Sequence, residues 1–235
     1  MRPRGHISEE TVRFRCGSLM LNGQLAYPES GRPHWAALIV GAHPLLGAKP
    51  GNNIVDALRS SLAMNGAVTM SFSYRGTGAS DSGNLDWQRM ISDFWRDSHV
   101  AEESTWLEDG RSALEFLRTV VRSPIVLVGY SFGCWIVSCL HATRNAAAAV
   151  FISPNPTQHD LSGINAGGIP LLVISSDNDF SCPVEILRSW FDSLHNPKTH
   201  VLIPQGEHFF RGREAEVAEA TNAQLAAWVI PRAMA

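Results

Sequence analysis

Gly129-Tyr130-Ser131-Phe132-Gly133 follows the apolar run Ile125 to Val128 and leads into the helix-like stretch Cys134 to His141. One serine thus stands on a strand-to-helix turn, which is the pattern of a nucleophile elbow. Such a turn forces its central residue into a strained backbone conformation, and strand and helix crowd the positions on either side. The two glycines meet that demand. Ser131 is then presented at the end of a sheet, and the backbone N–H of Phe132, at a helix N-terminus, is aimed at an anion forming beside it. The pentapeptide is short enough to arise by chance, so the surrounding sequence has to carry the reading.

Outward from the elbow, strand and helix signals alternate. Trp35 to Val40 is a continuous apolar run, as expected of a strand buried on both faces of a mainly parallel sheet. Ala67 to Phe72, Ile125 to Val128, Ala148 to Ile152, Pro170 to Ile174 and His200 to Ile203 repeat it. Helix-period segments lie between most of these runs. Ile54, Val55, Leu58 and Leu62 share one face before Asn65-Gly66 closes a helix. Ser112 to Val121, Phe132 to His141, Val184 to Leu194 and Glu214 to Val229 are the others. This alternation means crossover units and a mainly parallel sheet flanked by helices, an α/β fold. Thr11 to Cys16 and Met20 to Tyr27 alternate as an N-terminal antiparallel hairpin leading into that sheet. Gly83 to Ser104 breaks the rhythm as a helical excursion carrying Trp87, Met90, Phe94 and Trp95 among charges. Its aromatics either cover the sheet edge or roof a substrate pocket. Ser153 to Ile169 is short and rich in Pro, Asn and Gly, with little room for a lid domain.

The 235 residues suit a single domain spanning the chain, burying about 70 percent of its unfolded surface. A net charge of -3 without a basic face argues against a nucleic-acid partner. No apolar run approaches the roughly 20 residues that span a bilayer, so no membrane partner is expected. The start, Met1-Arg2-Pro3-Arg4-Gly5-His6, lacks the apolar core of a signal peptide, which makes a soluble cytoplasmic protein the expectation. Cys16, Cys134, Cys139 and Cys182 show no paired metal spacing and read as free thiols. Neither metal nor cofactor is expected, and the oligomeric state leaves no mark in the residues.

A serine hydroxyl is a poor nucleophile at neutral pH unless a histidine within hydrogen-bond reach is oriented by a carboxylate. Beyond the strand Pro170 to Ile174, a turn carries Asp177 and Asp179 before Pro183 starts the next helix. Either can be the acid, and either can be a turn-forming residue. The last strand runs into Pro204-Gln205-Gly206-Glu207-His208-Phe209-Phe210, which puts His208 on the same rim, since parallel strands share one functional edge. His6, His34, His141, His159, His195 and His200 read as surface or packing residues. After Trp35 to Val40 comes Gly41-Ala42-His43-Pro44-Leu45-Leu46-Gly47, the expected source of a second oxyanion N–H. Pro44 has none, which leaves the amide of His43 first and that of Leu45 second. The His43 imidazole is an alternative base. Leu45, Tyr130, Trp87, Phe94 and Trp95 are candidates to contact substrate. Cys182 lies near the acid loop, but no base is placed to activate it.

These segments together resemble the α/β-hydrolase superfamily, particularly small lid-poor serine hydrolases of the dienelactone-hydrolase-like kind. The resemblance rests on Gly41 to Gly47 with Asn52-Asn53, on Ser73-Tyr74-Arg75-Gly76-Thr77-Gly78-Ala79-Ser80, on the elbow, on Ser176-Asp177-Asn178-Asp179 before Pro183, and on Gly206 to Phe210. It implies an α/β-hydrolase fold without a large lid domain. In such relatives the acid stands four positions before the proline of this loop, which singles out Asp179 and keeps Asp177 in reserve. Two departures are visible: Gly41-Ala42 stands where His-Pro or His-Gly is usual, and the excursion is longer than usual.

The expected chemistry is acyl transfer from a small-molecule ester or thioester through an acyl-enzyme on Ser131. His208 shuttles the proton, Asp179 orients it, and the amides of Phe132 and His43 hold the oxyanion. Two alternatives share the fold. An acyltransferase uses the same triad to pass the acyl group to an alcohol or amine, sheltered from water by Trp87, Phe94, Trp95 and Trp106. A catalytically silent relative binds a ligand or partner instead.

Overall fold

The structure, a computed structural model, describes residues 6–46, 52–143, 146–195 and 197–229. Gly47, the end of the motif after the first parallel strand, lies outside the described residues, as do residues 1–5 of the start.

Among the described residues, eight strands form one sheet: β1 (Ile7–Cys16), β2 (Leu19–Pro28), β3 (Trp35–Val40), β4 (Ala67–Phe72), β5 (Ile125–Tyr130), β6 (Ala148–Ile152), β7 (Leu171–Asn178) and β8 (Lys198–Glu207). Their spatial order is β1-β2-β4-β3-β5-β6-β7-β8. The hairpin β1-β2 is antiparallel and joins β4 antiparallel, while every pair from β4 through β8 is parallel. The expected α/β-hydrolase architecture with its leading hairpin is therefore present.

Among the described residues, six helices cover the sheet: α1 (Asn53–Met64), α2 (Trp87–Asp97), α3 (Glu103–Val120), α4 (Phe132–Thr143), α5 (Val184–Ser193) and α6 (Glu214–Trp228). Because strand side chains alternate between faces, each strand feeds two cores. Ala36, Leu38 and Val40 of β3 join Leu114 and Leu117 of α3 and Ile136 and Val137 of α4 on one face. Trp35, Ala37 and Ile39 join Ile54, Leu58 and Leu62 of α1 and Val217 and Leu225 of α6 on the other. Burial on both faces is why these strands read as unbroken apolar runs.

Three departures from the sequence reading bear on function. β7 and β8 extend beyond their apolar runs, through a register irregularity, until Asn178 pairs with Glu207. Hydrophobicity marks only the covered part of a strand, and backbone pairing continues past it. The helix expected from Ser112 begins at Glu103, so the excursion comprises α2 and the opening turn of α3. In α2, Met90 and Phe94 are buried one turn apart, whereas Trp95, one step around the helix, is 74% exposed. The segment after β6 contains only a single turn of 3₁₀-helix, Ser162–Asn165, and no lid domain.

Candidate active site

β3 is the point at which the strand order reverses: the chain moves from β3 to β4 on one side and then crosses to β5 on the other. In open α/β sheets the crevice at the C-terminal strand ends beside such a reversal is where ligands bind. The loop after β3 and the turn after β5 meet there.

Ser131 occupies the turn after β5 with φ 54°, inside the left-handed region. Its N–H donates to the Ile152 carbonyl at 2.8 Å, and its carbonyl accepts from Cys134 at 2.9 Å, so the strained conformation is held from both sides. A Cβ at Gly129 would lie 2.6 Å from the Cys134 backbone, and one at Gly133 would lie 2.1 Å from the Val40 carbonyl oxygen. The two glycines therefore let α4 start directly above β5 and press against the end of β3.

Ser131 Oγ lies 3.1 Å from His208 Nε2. On the other side of the ring, His208 Nδ1 stands 2.8 Å and 3.0 Å from the two Asp179 oxygens. The pairing of Asn178 with Glu207 explains this meeting, because Asp179 and His208 are the residues that follow directly after these two strand ends. The Asp179 side chain is 4% exposed. Burial raises its pKa, but the hydrogen bond and charge of His208, with the Ser181 amide, outweigh burial and hold the carboxyl below its usual range. The Ser181 amide donates to Asp179 at 2.8 Å, and Ser181 Oγ sits 3.2 Å from His208 Nδ1. Asp177, left open as the acid by its position in the turn, is exposed at the end of β7, and the carboxylate hydrogen-bonded to His208 is that of Asp179.

Phe132 is the first residue of α4, where the amide has no intrahelical acceptor and the helix dipole favours negative charge. The His43 ring is enclosed by Phe94, Phe132 and Trp106 at centroid distances of 4.5, 4.6 and 5.0 Å. Burial, the leading cause, lowers its pKa despite the nearby Glu103. His43 Nδ1 accepts the Leu45 amide at 3.2 Å, which takes that N–H away from any oxyanion. The His43 ring is accordingly engaged with Leu45, whereas the ring beside Ser131 Oγ is that of His208.

A cavity of about 50 Å³ adjoins Ser131, with Phe94, Phe132, Trp135, His159 and Leu161 among its walls. Phe94 lies where a substrate-contacting residue was expected, but four other candidates do not line this cavity. The 3₁₀ turn Pro44–Leu46 directs Leu45 into the core and leaves Leu46 at the cavity. Tyr130 points to the opposite sheet face and donates to the His208 carbonyl at 3.2 Å, since strand alternation separates it from Ser131. Trp87 packs over Gly76 and toward Trp106. Trp95 is turned outward on α2. Trp135, His159 and Leu161 are among the wall residues not anticipated from sequence. Trp135 carries a usable signal, its place four residues beyond Ser131 on α4, whereas nothing in the local sequence sets His159 apart from any loop histidine.

Behind the cavity, Glu103 is 3% exposed and meets His159 Nε2 at 2.9 Å. Burial pushes its carboxyl upward, but the hydrogen bond of His159 and the approach of His43 prevail and bring it to about 2. The Cys182 thiol is pushed up to about 11 chiefly by burial, which makes it a poor nucleophile at neutral pH.

The sequence matches the Alpha/beta hydrolase family over residues 30–233. It is 26% identical over 202 residues to an uncharacterised protein of Rickettsia prowazekii (strain Madrid E), a match covering 80% of this chain and 77% of that protein. Among solved structures, an α/β serine hydrolase without a lid from Xanthomonas campestris superposes with a TM-score of 0.80 at 19% identity, covering 97% of this chain and 99% of the other. An α/β serine hydrolase homologue from Coxiella burnetii gives 0.79 at 22% identity, covering 92% and 97%. With the matched segment taking in the elbow, Asp179 and His208, the chain belongs to the α/β hydrolase family.

Proposed function

We propose that this protein is a serine hydrolase that cleaves a short-chain carboxylic ester or thioester through an acyl-enzyme on Ser131. The observation that carries the reading is the continuous contact from Ser131 Oγ through the His208 ring to Asp179, at 3.1 Å and 2.8 Å. His208 Nε2 takes the hydroxyl proton as Oγ attacks the carbonyl, and Asp179 stabilises the imidazolium that results. The amides of Phe132 and His43 are the proposed donors to the oxyanion. His208 then gives its proton to the leaving alcohol or thiol, and water attacks the acyl-enzyme by the reverse route.

Substrate size follows from the cavity. About 50 Å³ is room for roughly three water positions at ~15 Å³ each, which suits a short acyl group rather than a fatty chain. The transferase alternative called for an aromatic shelter of Trp87, Phe94, Trp95 and Trp106; of these Phe94 alone lines the cavity, which favours hydrolysis as the first reading.

The test is labelling by a fluorophosphonate probe together with turnover of p-nitrophenyl esters from acetate to decanoate. Wild-type protein is expected to take one label and to favour acetate to butyrate. Ser131→Ala is expected to lose the label, and Ser131→Ala and His208→Ala to lose at least about a thousandfold in kcat. Labelling that survives Ser131→Ala, or preference for decanoate, overturns the mechanism or the size assignment respectively.

A further inference from the structure

Glu103 opens α3 as a buried carboxylate whose two oxygens face different partners. Oε1 accepts the Val100 amide at 3.3 Å and has His43 Nε2 at 3.5 Å. Oε2 stands 2.8 Å from His99 Nδ1 and 2.9 Å from His159 Nε2. Among the described residues, the groups in ion-pair range of this carboxylate are these three imidazoles, with no lysine or arginine beside them. A carboxylate out of water needs a compensating positive charge, and neutral imidazoles supply hydrogen bonds but no charge.

We propose that Glu103 Oε2, His99 Nδ1 and His159 Nε2 are the ligands of a site for a divalent transition-metal ion of the Zn²⁺ type. Two imidazole nitrogens and one carboxylate oxygen form a donor set this class of ion accepts, with a further position left for water. The three ligand atoms lie within 4.8 Å of one another. Metal–ligand bonds of about 2.0–2.2 Å need separations of roughly 3.3–3.5 Å between ligand atoms in a tetrahedron, so the ion is admitted once side-chain rotations open the two carboxylate–imidazole contacts by about 0.5 Å and draw the two ring nitrogens together by up to about 1.4 Å. Each ring binds as a neutral imidazole that carries its proton on the other nitrogen. The remaining carboxylate oxygen is already held by the Val100 amide and approached by His43, the outer support that metal-bound carboxylates have. His99 is 60% exposed, which gives the ion a path from solvent.

The ion joins two parts of the chain. His99 and Glu103 flank the junction between α2 and α3, whereas His159 comes from the loop after β6, 56 residues beyond Glu103. This separation hides the set from a search for paired spacings in sequence. Since His159 and Phe94 of α2 both line the acyl cavity, a bound ion ties two of its walls together.

The experiment uses the full chain without an affinity tag, stripped with chelator and dialysed, then titrated with Co²⁺ and Zn²⁺. One equivalent of Co²⁺ is expected to produce a visible absorption band of low-coordinate cobalt, Zn²⁺ to displace it, and Zn²⁺ to raise the thermal midpoint. His99→Ala removes the exposed ligand, outside the hydrolytic machinery. It is expected to retain the metal-free midpoint and basal ester turnover, and to weaken Zn²⁺ binding at least tenfold. Glu103→Gln is expected to remove the band; where that variant does not fold, His99→Ala decides. Absence of saturable binding in the wild type, or binding unchanged in His99→Ala, leaves a purely hydrogen-bonded cluster and overturns the proposal.

Discussion

At the scale of single residues, His208 is held by contacts of different kinds. Asp179 meets one ring nitrogen, Ser131 the other, and Tyr130 anchors the backbone carbonyl. The depressed Asp179 pKa makes this arrangement sensitive to acid. A carboxyl whose folded pKa lies below its unfolded value contributes stability above the unfolded pKa, and that contribution is lost as pH falls through the folded one. Comparison of urea unfolding for wild type and Asp179→Asn should therefore show a wild-type advantage at pH 7 that shrinks on acidification toward pH 3. An advantage that grows on acidification contradicts the sign. The same variant should lose about 10⁴-fold in kcat while remaining folded, because an amide cannot stabilise the imidazolium. The juxtaposition of Ser131, Asp179 and His208 was legible in sequence because each follows a strand that carries an apolar run. Which of Asp177 and Asp179 reaches His208 was not legible from the residues alone, because it depends on where pairing of β7 and β8 ends. His159 was opaque for another reason: its partner Glu103 lies across the fold.

At the scale of elements, the site depends on how closely α4 approaches β3. Gly133 lacks the Cβ that would lie 2.1 Å from the Val40 carbonyl oxygen and 2.8 Å from that of Gly41. Backbone on both sides leaves no flexible side chain to yield. Gly133→Ala is expected to cost about 3 kcal/mol in urea unfolding and to reduce ester turnover, because it forces the elbow away from the loop after β3. A loss below about 1 kcal/mol indicates that α4 can shift freely. Further along α4, Trp135 projects into the cavity, and Trp135→Ala should enlarge it. The expected result is a kcat/KM preference moved toward hexanoate or longer esters; an unchanged chain-length profile removes Trp135 as the limit. Helical phase also explains the aromatic excursion. Its composition announced an apolar helix, but only spatial packing shows that Phe94 reaches His43 while Trp87 turns to Gly76.

At the scale of the whole molecule, the hairpin, the loop after β4 and α3 converge on one buried ion pair that the sequence motif Ser73 to Ser80 only half revealed. Arg75 donates from Nε to Asp109 Oδ1 and from its backbone N–H to Oδ2, each at 2.8 Å, and its guanidinium reaches Cys16 Sγ at the end of β1. Asp109 is fully buried on α3. The motif showed Arg75 in a glycine-rich turn, but its partner lies 34 residues away on a helix whose period marks only the apolar face. Asp109→Ala leaves the Arg75 amide without its acceptor and the guanidinium with the exposed Glu108, 3.4 Å away, as its remaining carboxylate, which should cost about 3 kcal/mol. The double variant Arg75→Met with Asp109→Leu removes both charges and should recover part of that loss; the Arg75 backbone N–H still lacks its acceptor. Urea unfolding of the single and double variants checks both expectations. A single-variant cost under about 1 kcal/mol, or a double variant no better than the single, shows that the pair does not hold the hairpin and α3 together.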